Sequence, residues 1–343
     1  MANVYKDFEE FKSKFKDLAK DELETLNLLF HDFYLSLEYE NCLKQEIEKI
    51  QTEKIVCPIC GSELVVKAGF DRYGDQRYIC KNRDCKRKTF TLKCNTLTYY
   101  SKCTKQQWLM FFECLFHRET IHVTMDKVGI SENTVLAWRH KAMYLIYKML
   151  NHEKLDGLVE IDETYFNVQI KGKSLEIEEN PTPKSKKRGI SNDKIGVACA
   201  IDEKNNILMK VINCGRATSS SLIDTYKGLI NDENKVVSDS LRSYHQLQEE
   251  LGYEWIKIPS GKSSFEGYDL ERINSLHGNM KMFINQMRGV SVTFLQGYLS
   301  LLELLHRYPR YYQRKSFRTI VLQLFTTPMP YRGYDFDDDF CYD

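Results

Sequence analysis

Two aspartates sit where ordinary core strands would not place them. Leu158-Val-Glu-Ile-Asp162-Glu-Thr-Tyr-Phe166 reads as a strand with a carboxylate at its centre, and Lys235-Val-Val-Ser-Asp239 as a short buried strand ending on another. Aspartate is depleted from strand interiors, and a carboxylate buried without compensation is strongly penalised or shifts its pKa. Asp162 therefore calls for a partner such as a metal cation. Asp239 follows two valines, at the point where α/β sheets open their ligand crevice. A third segment, Asp269 to Met287, carries Ile273, Leu276, Met280, Phe283 and Met287 at helical period. Beside that apolar stripe runs a polar one: Glu271, Asn274, Gly278, Lys281 and Asn285.

The elements that must bring these residues together read β-β-α-β between the two aspartates: strands near 158–166, 193–202 and 207–212, a helix from Ser219 to Ile230, and the strand ending at Asp239. A helix (Leu241 to Leu251), a strand (Tyr253 to Ile258) and a loop lead into the polar-striped helix. That order gives a mixed sheet with helices packed on it. An acidic residue on the first strand, another at the end of the fourth and a polar residue on a late helix resemble the ribonuclease-H-like core of DDE transposases. The 35 residues from Asp239 to Asn274 match the last interval usual in that superfamily.

Upstream lie two further constellations. Cys57-Pro-Ile-Cys60 and Cys80-Lys-Asn-Arg-Asp-Cys85 are two close cysteine pairs about 20 residues apart, the spacing of a four-thiolate structural zinc site. Glu63 to Ile79 between them reads as a hairpin turning near Tyr73-Gly74-Asp75, so residues 52–95 are expected to form a zinc ribbon. Cys94, Cys103 and Cys114 fit no such spacing and are expected in cores. Thr104 to Arg118 reads as an amphipathic helix with Trp108, Phe111, Phe112, Leu115 and Phe116 inward. A short helix (Ile121 to Val128), a turn at Gly129-Ile130, an N-cap at Ser131 and a longer helix from Glu132 to Leu150 follow, which is helix-turn-helix spacing. Asn133, Thr134, Ala137, Arg139 and Lys141 would be exposed, residue types that read bases or grip phosphates. His117, His122 and His140 read as surface histidines. A plain helical linker, and a zinc module that only braces the fold, are the alternatives.

The whole chain of 343 residues has a formal net charge of +1, which is silent on nucleic acid. Its distribution is not silent. From Cys57 to Lys105 there are 11 Lys and Arg against 4 Asp and Glu, with Tyr73, Tyr78 and Phe90 interleaved, as on a DNA-contacting surface. Residues 1–50 carry 7 against 12, and 335–343 five Asp and no base. Residues 1–51, without proline and with Phe8, Phe11, Phe15 and Leu18 at helical spacing, read as a helical arm that packs on the rest or dimerises. No apolar run reaches the roughly 18 residues of a membrane span, and no signal-peptide apolar region is present, which points to the cytoplasm. There, 11 Cys argue for metal ligation or free thiols over disulfides.

Taken together with Ile273-Asn274-Ser-Leu-His277, Arg288-Gly-Val and Phe294-Leu-Gln-Gly-Tyr298-Leu, these motifs in this order resemble bacterial insertion-sequence transposases of the ISXO-type group over residues 55–308. The fold class expected is α+β and multidomain: a helical N-terminal arm (1–51), the zinc ribbon (52–95), a helix-turn-helix region (104–150), a ribonuclease-H-like mixed α/β catalytic domain (157–310) and a C-terminal segment with an acidic tail (311–343). The resemblance implies a transposase that binds the ends of its element and cuts and joins DNA by two-metal phosphoryl transfer. Asp162, Asp239 and Asn274 would hold Mg²⁺ or Mn²⁺, Lys281 would meet a phosphate, and His277 could orient a ligand or the DNA. Cys57, Cys60, Cys80 and Cys85 would hold Zn²⁺, and Asn133, Thr134, Arg139 and Lys141 would contact DNA. Its partners would be double-stranded DNA, as element terminal repeats and as target, and further copies of the chain assembled on it at the nucleoid. The group varies at the third metal position, and its asparagine version with a lysine seven residues on fits Asn274 and Lys281; Glu271 is the acidic alternative. Asn167 replaces a usual glycine, and 176–192, with Lys184-Ser-Lys-Lys-Arg188, is a longer loop than the group has. A catalytically inactive DNA-binding regulator and a structure-specific nuclease on the same core are the competing functions.

Overall fold

The computed structural model describes residues 55–167 and 194–308, apart from 73, 87, 88, 95, 100, 151 and 153, together with a few positions between 320 and 329. The arm at 1–51, the basic loop at 176–192 and the acidic tail lie outside the described residues. The chain divides into two compact units, the first reaching to Cys94 and adding Thr98–Leu115 and Asp126–Gly129, the second holding Asn95–Leu97, Phe116–Met125 and everything from Ile130.

The first unit carries three antiparallel strands in the order β1 (Val65–Phe70), β2 (Gln76–Cys80), β3 (Thr89–Thr91). The expected hairpin is β1 and β2; its turn is closed by the Asp71 carboxylate, which accepts from the Asp75 N–H at 2.9 Å. The third strand was not anticipated, because three residues between lysines and arginines carry too little pattern. Tyr78 on β2 stacks on Phe90 of β3 with ring centroids 5.6 Å apart. Helix α1 (Lys105–Phe116) buries Trp108, Phe111, Phe112 and Leu115 as its period requires.

Helices α2 (Ile121–Val128) and α3 (Glu132–Met149) lie at the expected positions. Gly129 between them has φ 70°, a left-handed conformation that ends α2 and that glycine adopts without strain. Ser131 caps α3, its hydroxyl accepting from the Thr134 N–H.

The second unit is built on a five-stranded sheet in the order β6-β5-β4-β7-β8. Strands β4 (Leu158–Asn167), β5 (Lys194–Asp202) and β6 (Ile207–Cys214) form an antiparallel meander, while β7 (Lys235–Ser238) and β8 (Glu254–Lys257) run parallel to β4. Parallel neighbours need crossover connections, and α4 (Ser219–Tyr226) and α5 (Ser243–Leu251) lie in them. β5 is buried at every position from Ile195 to Asp202, so both faces of the sheet are covered. On one face Val159, Ile161, Ala198 and Ala200 form a core with Leu222 and Tyr226 of α4 and Tyr244 and Leu247 of α5. The opposite face carries α6 (Glu271–Gln286), preceded by a hairpin of β9 (Ser264–Phe265) and β10 (Tyr268–Asp269) where the sequence suggested only a loop.

The last element, α7 (Leu295–Arg307), covers the outer edge of β6. The Val211 N–H donates to Gln296 Oε1 (2.9 Å), Gln296 Nε2 donates to the Met209 carbonyl (3.1 Å), and the Met209 N–H donates to Glu303. An edge strand exposes unpaired backbone groups that template further pairing; here side chains occupy them. Burial pushes the Glu303 carboxyl up, opposed by His152, whose Nε2 lies 3.0 Å from Glu303 Oε2. No helix among the described residues is long and apolar enough to cross a membrane.

Candidate active site and metal centres

Side chains alternate along β4, so Glu160, Asp162 and Thr164 face α6 while Val159, Ile161 and Glu163 face α4 and α5. The parallel register sets Glu160 beside Val237. Asp162 and Asp239 each lie two residues further along the chain, Asp239 just past the end of β7 and near enough for its charge to act on Asp162. Asp239 is exposed, just beyond β7, with its Oδ1 accepting from the Leu241 N–H at 2.9 Å.

Glu160 fixes α6 against the strand. Its Oε1 accepts from Arg272 Nε (2.7 Å) and its Oε2 from the Ile273 N–H (3.0 Å), so a buried carboxylate is satisfied by a guanidinium and a first-turn amide. One turn beyond Ile273, His277 reaches Asp162, with Nδ1 3.7 Å from Oδ2. Lys281, one further turn along, is near enough for its charge to act on Asp162.

Electrostatics at this cluster are strained in one direction. Burial lifts Asp162 to about 6; the Glu163 N–H and Lys281 pull it down, while Asp239 pushes it further up. Glu163 is lifted to about 7, again first by burial, with the Tyr244 hydroxyl donating to it at 2.7 Å and Asp162 and Asp239 raising it. Burial, helped by Lys281, lowers His277 to about 4, so its imidazole is neutral. The site thus holds a carboxylate that gives up its proton reluctantly, beside another carboxylate. Two polar atoms on the α6 side, Thr164 Oγ1 and His277 Nε2, are buried without a hydrogen-bond partner among the described residues. Oxygen donors whose mutual repulsion is only partly offset suit a hard divalent cation.

Asp162, Asp239 and Lys281 come together as the sequence suggested. Asn274 lies on α6 one turn before His277 and is exposed, as is Glu271. His277, which the resemblance gives as orienting a ligand or the DNA, is buried against Asp162. Glu160, Glu163 and Tyr244 were missed. The signal was present in Glu160-Ile-Asp-Glu163, since three carboxylates in four strand residues must divide between the two faces.

In the first unit Cys57, Cys60, Cys80 and Cys85 converge, all four sulfurs within 4.8 Å of one another. Cys57 Sγ lies 3.8 Å from Cys85 Sγ and Cys60 Sγ 3.7 Å from Cys80 Sγ. Ligands about 2.3 Å from a tetrahedral ion stand about 3.8 Å apart, so the four thiols are already spaced for one. A backbone hydrogen bond at Ser62 leads the causes that bring Cys60 down to about 7. Cys94 and Cys114 are buried as expected, whereas Cys103, also expected in a core, is only half-buried.

The expected DNA-contact residues on α3 do not all reach the surface. Asn133 is exposed and Thr134 half-buried, but Arg139 is only 2% exposed. Its guanidinium donates to the Glu119 carbonyl and, at 3.1 Å, to Thr124 Oγ1, and Nη1 lies 3.6 Å from Met287 Sδ. Arg139 thus ties the start of α2 to the end of α6, and the expectation that it is exposed is corrected. A charged residue is buried when enough acceptors surround it, and these come from 15 to 148 residues away. His140, expected at the surface, stacks on Phe294 with ring centroids 3.6 Å apart and is lowered to about 4, chiefly by burial. Lys141 is half-buried, and burial lowers its pKa. Arg139→Ala is therefore expected to reduce stability by about 2–4 kcal/mol in urea unfolding, with the salt dependence of DNA binding unaltered. An unchanged unfolding midpoint with a shallower salt dependence would return Arg139 to the DNA interface.

Residues 154–308 match the family model of the ISXO2-like transposase domain. Among solved structures, one similar chain belongs to the simian T-cell lymphotropic virus intasome in complex with PP2A regulatory subunit B56 gamma, at 12% identity over 57% of this chain and 68% of that one, with a TM-score of 0.30. The Mos1 transposase paired-end complex with its left transposon end is similar at 9% identity over 59% and 76%, TM-score 0.21. A pre-cleavage Mos1 transpososome is similar at 12% over 61% and 75%, also at 0.21. No protein with a curated description matches the sequence.

Proposed function

We propose, from the match of residues 154–308 to the family model of the ISXO2-like transposase domain, that the chain is a DNA transposase that binds the ends of its element, cleaves them and joins them to target DNA. The observation that carries this reading is the approach of Asp239, just past the end of β7, and of Lys281 on α6 to the buried Asp162 of β4, close enough for both charges to act on it. Asp162, Asp239 and Asn274 would hold divalent cations, Mg²⁺ or Mn²⁺. Bound there, such ions supply a nucleophilic water at neutral pH and charge stabilisation at the phosphoryl oxygens.

The chain's own residues prepare that chemistry. Glu160, held by Arg272 and the Ile273 amide, sets the distance between α6 and β4. Asp162 and Asp239 accept cations because Lys281 and the Glu163 N–H only partly offset burial and the repulsion between them, and Lys281 meets a non-bridging phosphate oxygen as a point charge. Cys57, Cys60, Cys80 and Cys85 would hold a structural Zn²⁺, giving a zinc ribbon over 52–95. Over 104–150, the turn at Gly129 separates a short helix from a longer one in helix-turn-helix order. Asn133 and Thr134 at the start of α3, with Lys141 further along, would touch the DNA. Assembly of several copies on the paired ends completes the reading.

The test is a labelled duplex carrying the inverted repeat that flanks the gene, incubated with the protein and Mg²⁺ or Mn²⁺. Cleavage at the repeat and joining to a second duplex are expected. Asn274→Ala should lower both about 10²–10³-fold, on the scale of removing one group that stabilises developing charge. Asn274→Asp should retain part of the activity, and Glu271→Ala most of it. Cleavage without joining would leave a nuclease, and binding without cleavage a regulator. An inactive Glu271→Ala beside an active Asn274→Ala would pass the third ligand to Glu271.

A further inference from the structure

We propose that His277 is itself a nitrogen ligand of the cation held by Asp162, so that the site is a mixed oxygen and nitrogen centre. The inference rests on the metal-dependent reading above and adds a donor to it. Three observations carry it. Nδ1 of His277 lies 3.7 Å from Asp162 Oδ2, outside hydrogen-bond range but close to the spacing of two ligands on one ion. Neighbouring ligands about 2.1 Å from an octahedral cation stand about 3.0 Å apart, so binding would draw the two atoms together by only about 0.7 Å from their 3.7 Å separation. The second is burial: the His277 residue is 6% exposed, so α6 holds the ring in place facing the carboxylate.

The third is the ring's other nitrogen. Nε2 is buried without a hydrogen-bond partner among the described residues. A neutral imidazole carries one proton. Either tautomer leaves Nε2 buried unpaired, and with the proton on Nδ1 no hydrogen bond reaches Asp162. With the proton on Nε2, the Nδ1 lone pair lies 3.7 Å from Asp162 Oδ2, an arrangement that is repulsive unless a cation stands between them. Only the second tautomer becomes favourable on binding an ion, and it leaves Nδ1 as the donor. Imidazole favours transition metals over Mg²⁺, whose preferred ligands are oxygen, so the centre should bind Mn²⁺ in preference to Mg²⁺.

The experiment is Mn²⁺ titration of the full-length protein without DNA, followed by pulsed electron paramagnetic resonance. A ¹⁴N coupling typical of directly bound imidazole is expected in the wild type and in Asn274→Ala. It should vanish in His277→Gln, with Mn²⁺ affinity lowered about tenfold or more and the preference over Mg²⁺ diminished. Protein labelled with ¹⁵N at histidine should show the coupling change isotope with no substitution made, which guards against misfolding of the variant. Mn²⁺ bound in an Asp162-dependent manner without nitrogen coupling would overturn the proposal and leave the metal site standing. Mn²⁺ binding that ignores Asp162→Asn would overturn the metal site, and this ligand with it.

Discussion

Asp162→Asn is expected to leave a folded protein that still binds element ends but cuts and joins them at least about 10³-fold more slowly, a loss of roughly 4 kcal/mol of transition-state stabilisation. The neighbouring carboxylates cannot substitute. Glu160 is committed to Arg272 and the Ile273 amide, and Glu163 faces Tyr244 on the other side of the sheet. The same substitution should strengthen the metal-free fold. A carboxyl whose folded pKa is raised to about 6, against an ordinary value near 3.9, weakens the fold once the pH passes the ordinary value, and fully so above the raised one. At about 1.4 kcal/mol per pH unit the penalty is on the order of 3 kcal/mol. Glu163, raised to about 7, acts in the same direction. Without added Mg²⁺ the wild type should therefore lose melting temperature between pH 4 and 7 more steeply than the variant, and added Mg²⁺ should raise the wild-type value alone. Turnover by Asp162→Asn above a few per cent of wild type would remove this residue from the chemistry.

Removing the ion from the four-cysteine cluster should have the second large effect. The buried core of the β1-β2-β3 sheet consists of Cys57, Tyr78, Cys80, Cys85, Phe90 and Cys94, so half of its members are ligands themselves. Two stacked rings give too little apolar surface to hold three short strands, whereas a structural zinc contributes on the order of 10 kcal/mol of folding free energy. Freshly purified protein should contain about one zinc per chain, and chelation or Cys85→Ser should unfold the ribbon. Proteolysis would then cut between residues 55 and 94 while 194–308 resists. A chelated protein with an intact ribbon would show that the thiols pack without metal.

Much of this was written locally in the chain. Cysteine pairs, the 3.6-residue stripe of α6 and the apolar runs of β5 and β7 each depend on residues within a few positions of one another, and their elements lie within two or three residues of where the sequence puts them. The likeness of Asp162 to a metal ligand was legible because a carboxylate at the centre of a strand contradicts strand chemistry. What was not legible depended on distant partners. Arg139 reads as an exposed cation until the Glu119 carbonyl and Met287 sulfur surround it. Glu303 reads as one more helix glutamate, yet it completes the hydrogen bonding of a strand. His277 carries no signal beyond its spacing from Lys281, because nothing in the sequence says which side of α6 meets β4.

The bonds that α7 makes to β6 also impose an order in time. Met209 and the Glu303 that accepts its amide are 94 residues apart. At synthesis rates of about 5–20 residues per second, the edge of β6 waits roughly 5–20 seconds for its cover. During that interval, nascent chains on one message each present an open strand to their neighbours. Translational pausing after β6 would lengthen the exposure, and chains ending before Leu295 would never close it. Such truncated products should be recovered as aggregates even though every strand of the sheet and both aspartates are present.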